Sequence, residues 1–481
     1  MSRRTILRTL IFCFSLAYCA TSLAQAPELS PSVREFVSVD APVVALKHVR
    51  VIDGTGAPAI EDQTIVIVDG KIREMGPAAT IPVPENAEVL ELDGYTVIPG
   101  IVGMHEHLFY PAGSNPALYP TLGVTFPRMY LANGVTTMRT GGSMEPYLDQ
   151  NIKRRIDSGR MVGPKMHLTA PYLEGQGSPI LQLHQLDGPD EARQMVNYWA
   201  DLGFTSFKAY NYISRGELRA AVDEAHKRGL KVTGHLCSIG FGEAAEIGID
   251  NLEHGWGTNT EFAPGKQPDQ CPPAGRSRQA LASLEIESPE AQETIRNLVE
   301  HGVAITSTLV VNEASMPGRP MMPRRALDTM SAEAQANFFS RRARAALNLN
   351  ALSVVLFRKE MEFQYAFAQA GGLLVAGVDP TGNGGALPGF GDLRNIELLV
   401  EAGFSPEEAI EISTSNGAQL LGESDLIGTL APGMQADIVV IRGNPAVDVS
   451  DILNVETVFK DGIGYDSAKL IDSVRGAVGK Y

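Results

Sequence analysis

The middle of this 481-residue chain alternates short apolar segments with amphipathic ones. The apolar segments fit eight β-strands, which start near residues 97, 134, 165, 205, 231, 250, 303 and 373. Helical periodicity fills most of the intervals between them. Because strands that alternate with helices build parallel sheets, we expect an α/β fold. Eight βα units in roughly 325 residues match a (β/α)8 TIM barrel.

Segments with a different pattern flank this region on both sides. Residues 41–98 and 426–466 read as short strands with tight turns, and Asp69-Gly70 between two apolar runs is a hairpin signal. Each segment alone is too small to bury a core. We therefore expect the two to pair into one small β-sandwich domain, beside a barrel that spans residues 99–425.

Residues 1–24 are typical of a secretory signal peptide. Three arginines precede an apolar stretch over residues 10–20, and small residues follow up to Ala24, after which we expect cleavage. The stretch is too short to span a bilayer, so we expect no stable membrane anchor and an exported protein, periplasmic or secreted. Cleavage leaves Cys237 and Cys271, and the sequence does not decide whether they pair.

Charge narrows the choice of partner. The chain carries 40 basic and 56 acidic residues, a net charge of -16, which argues against nucleic acid because phosphate binding needs basic surfaces. At 44% hydrophobic and 20% charged residues, the composition is that of a globular protein with ample material for a core. A small molecule is the expected partner, and the sequence leaves open whether the protein is a homo-oligomer.

Six polar side chains stand at the ends of predicted strands. Carboxyl ends of barrel strands share one rim, so these side chains should converge there. Imidazoles and carboxylates are metal ligands, whereas a lysine cation would repel a metal. A neutral lysine amine that takes up CO2 becomes a carbamate, which can bridge two divalent ions. We expect these ions to be zinc. Two bridged ions would share a hydroxide as nucleophile. The six residues are His105, His107, Lys208, His235, His254 and Asp379.

A one-metal alternative uses fewer of these groups. It keeps a metal on His105, His107, His235 and Asp379, and leaves Lys208 as an ordinary charge. Other candidates near the rim are weaker. Tyr210 and Tyr212 could bind substrate or an oxyanion, or could pack the loop. Arg139 at the end of the second strand could pair with a substrate carboxylate or form a structural salt bridge.

Three stretches resemble signatures of the amidohydrolase superfamily of metal-dependent hydrolases. They read VIPGIVGMHEH (97–107), DEAHKRG (223–229) and IGTLAPGMQAD (427–437). The chain is similar to the imidazolonepropionase-like and Xaa-Pro dipeptidase-like branch, which takes a carboxylated lysine from strand four. Dipeptidase-like relatives often carry Asp where this chain has Thr140, which weakens a direct transfer of the dipeptide substrate.

The resemblance implies a role for each ligand. His105, His107 and Asp379 would hold the more buried metal, His235 and His254 the other, and Lys208 would bridge the two. Asp379 would also be the catalytic residue that takes the proton from the bridging hydroxide and passes it to the leaving amine.

We therefore expect an exported binuclear hydrolase that cleaves a C–N bond, amide or peptide-like, in a small molecule. Two alternatives remain open at this point. One is a mononuclear deaminase of the same superfamily, and the other is a noncatalytic extracytoplasmic binding protein. Burying so many ionisable groups without a metal would be costly, which argues against the binding protein.

Overall fold

The computed structural model describes residues 28–112, 118–347, 351–380 and 386–480. The predicted leader, residues 1–24, lies outside these ranges. Among the helices inside them, none combines the length and the apolar character needed to cross a bilayer.

The described chain forms seventeen strands, which fall into three sheets. In chain order the strands are β1 (Val37–Val39), β2 (Val43–Val51), β3 (Ile60–Val68), β4 (Lys71–Pro77), β5 (Glu88–Glu91), β6 (Tyr95–Pro99), β7 (Ile101–Glu106), β8 (Val135–Thr140), β9 (Lys165–His167), β10 (Ser206–Ala209), β11 (Lys231–Gly234), β12 (Asn251–Glu253), β13 (Ala304–Ser307), β14 (Leu374–Ala376), β15 (Ile438–Arg442), β16 (Val455–Lys460) and β17 (Ile463–Asp466).

The described chain also contains sixteen α-helices, and helices occupy the intervals between the parallel strands. They are α1 (Pro31–Arg34), α2 (Thr125–Ala132), α3 (Pro146–Asp157), α4 (Pro189–Asp201), α5 (Arg215–Lys227), α6 (Phe241–Ile247), α7 (Ala274–Ser283), α8 (Pro289–Glu300), α9 (Leu309–Glu313), α10 (Arg324–Leu327), α11 (Ala332–Leu347), α12 (Ala351–Gln369), α13 (Phe390–Ala402), α14 (Pro406–Ser413), α15 (Ser415–Leu421) and α16 (Ser467–Asp472).

Local sequence explains where several helices begin. Ser214 and Ser405 each accept a hydrogen bond from the backbone N–H of the glutamate three residues on. The side chain of that glutamate accepts a hydrogen bond from the backbone N–H of the serine, so α5 and α14 start with capping boxes. Proline stands at the start of α4, α8 and α14, where a missing N–H costs nothing.

The two terminal segments join in one nine-stranded sheet, in the order β1-β17-β16-β15-β6-β2-β3-β4 with β5 on β2. Strand β15 pairs antiparallel with β6, from Ile438 opposite Pro99 to Arg442 opposite Tyr95. The predicted hairpin at Asp69-Gly70 joins β3 to β4, and both turn residues have positive φ, 48° and 78°. The sheet thus links the two ends of the chain, while their arrangement as a sandwich stays a prediction.

Parallel strands form the other two sheets. One contains β7-β8-β9 and the other β10-β11-β12-β13-β14, each in sequence order. Backbone hydrogen bonds connect them at both sides: the N–H of Ala170 donates to Ser206 O (2.9 Å), and the N–H of Asp379 donates to His105 O (2.9 Å). The eight predicted strands are therefore all present in a mixed α/β fold, as two sheets rather than one continuous ladder.

The first predicted strand is in fact two strands in different sheets. Residues 95–99 belong to the nine-stranded sheet as β6, and the parallel strand begins at Ile101. Gly100 lies between them, where a Cβ would come 2.0 Å from Thr136 Oγ1, so only glycine fits this crossing. The apolar side chains around the parallel strands form the main core, which also includes Ile98, Val439 and Val458 of the nine-stranded sheet. Other apolar side chains of that sheet form a separate cluster.

Candidate metal centre

All six predicted ligands border one cavity of about 520 Å³ at the carboxyl ends of the parallel strands. His105 lies on β7 and Lys208 on β10, while the others follow the ends of β7, β11, β12 and β14. Alternation along a strand places His105 and His107 on the same side. The structure therefore brings together every residue that the sequence grouped by strand position.

Two of these residues leave their strands with unusual backbone geometry. His254 has φ of 72° and Asp379 has φ of 47°, in the left-handed region that non-glycine residues rarely adopt. Such conformations persist where the surrounding structure holds them, and they concentrate at functional sites. Here they turn both side chains into the cavity.

The tightest group of donors consists of His105, His107 and Asp379. Asp379 Oδ1 lies 3.3 Å from His107 Nε2 and 3.6 Å from His105 Nε2. One ligand atom from each of the three residues lies within 4.8 Å of the other two. Two imidazole nitrogens and a carboxylate oxygen at this separation fit a divalent transition metal such as zinc.

His235 and His254 form the second group of donors. Asn211 Oδ1 accepts a hydrogen bond from His235 Nδ1 (2.9 Å), and Thr308 Oγ1 is hydrogen-bonded to His254 Nδ1 (2.7 Å). His254 Nε2 is left facing Asp379 Oδ2 at 3.8 Å. Fixing one ring nitrogen leaves the other to a metal, which is how ligating imidazoles are usually oriented.

Lys208 lies against the first group of donors and is buried. Its Nζ is 3.2 Å from His105 Nε2 and 4.0 Å from Glu253 Oε1. Burial lowers the pKa of its amine, against the opposing pull of Glu253 and Asp379. Its charge also lowers the pKa of His235 and of His254, so the amine lies within electrostatic range of the second group as well.

Glu253 supports His105 from the side away from the cavity, and no sequence pattern singled it out. Its carboxylate accepts hydrogen bonds from His105 Nδ1 (2.7 Å), Arg139 Nη2 (2.8 Å) and the Thr233 hydroxyl. Burial alone would raise its pKa, but His105, Lys208 and Arg139 hold the pKa well below the usual range. The ionised carboxylate thus fixes the tautomer of His105 and leaves Nε2 toward the cavity.

Burial sets the protonation states of the other donors. It lowers the pKa of His107 and of His235 to about 4, so both imidazoles are neutral at pH 7. For Asp379, burial would raise the pKa, but the surrounding histidines hold it well below the usual range. Neutral imidazoles and an ionised carboxylate are the states in which these groups bind metals.

Only one of the three proposed substrate contacts borders the cavity. Tyr210 lines it, whereas Tyr212 and Arg139 do not. The Arg139 guanidinium is buried, binds Met104 O through Nε (2.8 Å) and pairs with Glu253. This arrangement is the structural salt bridge, one of the two roles considered for Arg139. Its pairing with a substrate carboxylate stays a prediction.

A disulfide joins Cys237 to Cys271 beside the second group of donors. Cys237 comes two residues after His235, and Cys271 belongs to the long insertion after β12. The N–H of Cys237 donates to Asn211 O, on the same residue whose side chain holds His235. The bridge therefore ties the insertion to the segment that positions this imidazole.

Parallel strands with imidazoles and a carboxylate at their carboxyl ends define an α/β protein with a hydrolase-type metal centre. The chain belongs to the amidohydrolase family, whose profile matches residues 96–463. This membership confirms the predicted class of enzyme, a metal-dependent hydrolase.

Curated relatives match only part of this chain. Imidazolonepropionase from Caulobacter vibrioides is 33% identical over 108 residues, which are 21% of this chain and 27% of that protein. The chain spans between 11% and 63% of the length of the curated relatives that it matches.

Solved structures match over most of the chain. A Xaa-Pro dipeptidase with bound methionine superposes with a TM-score of 0.66 at 19% identity, over 88% of this chain and all of that one. Bottromycin amidohydrolase gives 0.68 at 21% identity over 95% of each chain. At such identities the likeness concerns the fold alone.

Proposed function

We propose that the protein is an exported, binuclear amidohydrolase that cleaves an amide or peptide-like bond in a small molecule. The observation that carries the proposal is the pair of donor groups in one cavity with a buried lysine between strands that supply them. His105, His107 and Asp379 would hold one divalent ion, and His235 and His254 the other. Zinc suits this set of nitrogen and oxygen donors.

Lys208 would complete the site as a carbamate. Its neutral amine attacks CO2, a C–N bond forms, one C–O π bond opens, and a proton leaves the nitrogen to give an anionic carbamate. The resulting carbamate carries two oxygen donors in place of the amine. The burial of Lys208 supports this reaction, since it favours the neutral amine.

Metal ions bound by these donors supply Lewis acidity, which activates water and polarises the scissile carbonyl. The remaining tasks fall to the protein. Asp379 is ionised and borders the cavity, so it can accept a proton from the attacking water. The same carboxyl group can then deliver the proton to the leaving nitrogen, because one group serves as base and as acid in turn.

The names of similar structures support a C–N bond as the target. They include a Xaa-Pro dipeptidase and a bottromycin amidohydrolase. The Cys237–Cys271 disulfide supports export, since such bonds persist in oxidising compartments. The hydrogen bonds at both sides of the parallel sheets support a closed (β/α)8 barrel, with the nine-stranded sheet as the β-sandwich beside it.

Metal stoichiometry tests the proposal. The wild-type protein, purified from zinc-supplemented cells, should contain two metal ions per chain by elemental analysis. Lys208→Ala should contain one or fewer and lose most of its amidase activity, because no carbamate can form. Lys359→Met is the matched control: Lys359 on α12 is equally buried but pairs with Glu285, which follows α7, so this variant should keep both ions.

The outcomes separate the alternatives. Full activity and two ions in Lys208→Ala would contradict the bridging carbamate. One ion in the wild-type protein together with ammonia release from an amino-substituted ring would favour the mononuclear deaminase. A protein that binds no metal and hydrolyses no amide would be the noncatalytic binding protein.

A further inference from the structure

We infer that the substrate is a neutral amide whose apolar or aromatic group packs beside the metal centre, and that it carries no free carboxylate next to the scissile bond. The inference rests on the proposed amidohydrolase function, and it concerns the part of the cavity wall that the ligands do not form. This wall consists of Phe109, Tyr119, Met144, Tyr172, Ile180 and Tyr210.

The wall is aromatic and continuous with the ligands. The ring of Phe109 lies 4.3 Å from that of His107 and 5.6 Å from that of Tyr119. On the other side, the ring of Tyr210 lies 4.8 Å from Tyr172 and 5.2 Å from His235. A group bound beside either metal position therefore meets aromatic faces, which bind apolar and aromatic groups well.

No cationic side chain in the cavity is left over for a substrate carboxylate. Among the described residues that line it, Lys208 and the four histidines are the basic ones, and all five are assigned to the metal centre. The nearby Arg139 is neutralised by Glu253 at 2.8 Å. Residues 113–117 and 381–385, which the structure does not describe, contain no Lys, Arg or His in the sequence.

A carboxylate held against this wall, away from the two metal positions, would meet no compensating charge from a side chain. Burying an ion without a partner is costly, and the carboxylate of Asp379 would repel it. Neutral polar groups fare better. No hydrogen bond joins the hydroxyls of Tyr119, Tyr172 and Tyr210 to any other described residue, so these hydroxyls can donate to a carbonyl or ether oxygen of the substrate.

Two matched compounds test the inference. N-acetylphenethylamine and N-acetylphenylalanine share the acyl group and the aromatic ring, and they differ by one carboxylate. For the zinc-loaded protein we expect kcat/KM and affinity, the latter by calorimetry, to favour the neutral compound by about tenfold or more. Equal values, or a preference for the carboxylate, would overturn the inference while the amidohydrolase function stands.

Loss of hydrolysis leaves the test intact. If neither compound is hydrolysed, the calorimetric preference still decides the inference, while the metal stoichiometry of the wild-type protein and of Lys208→Ala decides the proposed function. Failure to bind either compound overturns it.

An added cation should reverse the preference. Met144→Arg places a guanidinium on the wall, so the selectivity should shift by about tenfold or more toward N-acetylphenylalanine. Ile180→Arg serves the same purpose if Met144→Arg does not fold. Val447→Arg adds the same charge at a side chain that is 84% exposed and outside the cavity, and it should leave the selectivity unchanged. Unchanged selectivity in both wall variants would count against the inference.

Discussion

Replacing Glu253 with Gln should separate the two tasks that its carboxylate performs. The side chain is fully buried and receives hydrogen bonds from His105 Nδ1 and Arg139 Nη2. Gln keeps the size and one accepting oxygen but removes the negative charge. The Arg139 guanidinium, itself only 4% exposed, then lies in the interior without a counter-charge.

The size of the effect follows from this burial. Removing one partner of a buried ion pair costs about 3–5 kcal/mol of stability. The loss of the carboxylate charge behind His105 should in addition weaken metal binding by about 10–100-fold. Urea unfolding of the metal-free protein at pH 7 measures the first quantity, and competition with a zinc chelator measures the second.

A double variant distinguishes charge burial from ligand orientation. Arg139→Met combined with Glu253→Gln removes both charges, so much of the lost stability should return. The metal affinity should stay low, because His105 still lacks its carboxylate. Glu91→Gln removes a charge from an exposed pair with Lys47 and should change stability by less than about 1 kcal/mol. Wild-type stability and metal affinity in Glu253→Gln would refute the reasoning.

Three further outcomes are expected. Asp379→Asn should keep most of the metal, while kcat falls by about 10²-fold or more because the amide cannot carry a proton. His254→Ala should instead lose metal and activity together. Near wild-type turnover in Asp379→Asn would show that Asp379 does not transfer the proton. Metal-free protein should lose stability in urea titrations as pH falls from 6.5 toward 4, since His107 and His235 take up protons at their ordinary pKa when unfolded but only near pH 4 when folded; a flat profile would contradict this. Truncation before Gly428 should give insoluble protein, because β6 loses its neighbour β15; a soluble active truncation would contradict it.

The parts of the fold that follow local patterns could be predicted from the sequence. Strand periodicity and the turn at Asp69-Gly70 located β3 and β4, and the alternation of strands with helices located the parallel strands. The division at Gly100 was missed, because an unbroken apolar run does not reveal that its two halves join different sheets.

The convergence of the six candidate ligands could be predicted, because the ends of parallel strands meet at one rim. The residues that hydrogen-bond to these ligands could not be predicted. Glu253 is 148 residues from His105, and Thr308 is 54 residues from His254. No spacing rule connects such pairs, since they meet only after the strands are assembled. Arg139 shows the converse: its position at a strand end suggested a substrate contact, but the local packing turns it toward Glu253.

The pairing of β6 with β15 also constrains the order in which the chain can fold. The hydroxyl of Thr96 donates to Gly443 O across 347 residues, so the nine-stranded sheet cannot be completed until the segment that contains β15 to β17 is available. Contacts this distant in sequence form slowly, because a long loop must close before they contribute. Strand β6 therefore keeps an unpaired edge until β15 has been made, so the nine-stranded sheet forms late and not from the N-terminus onward.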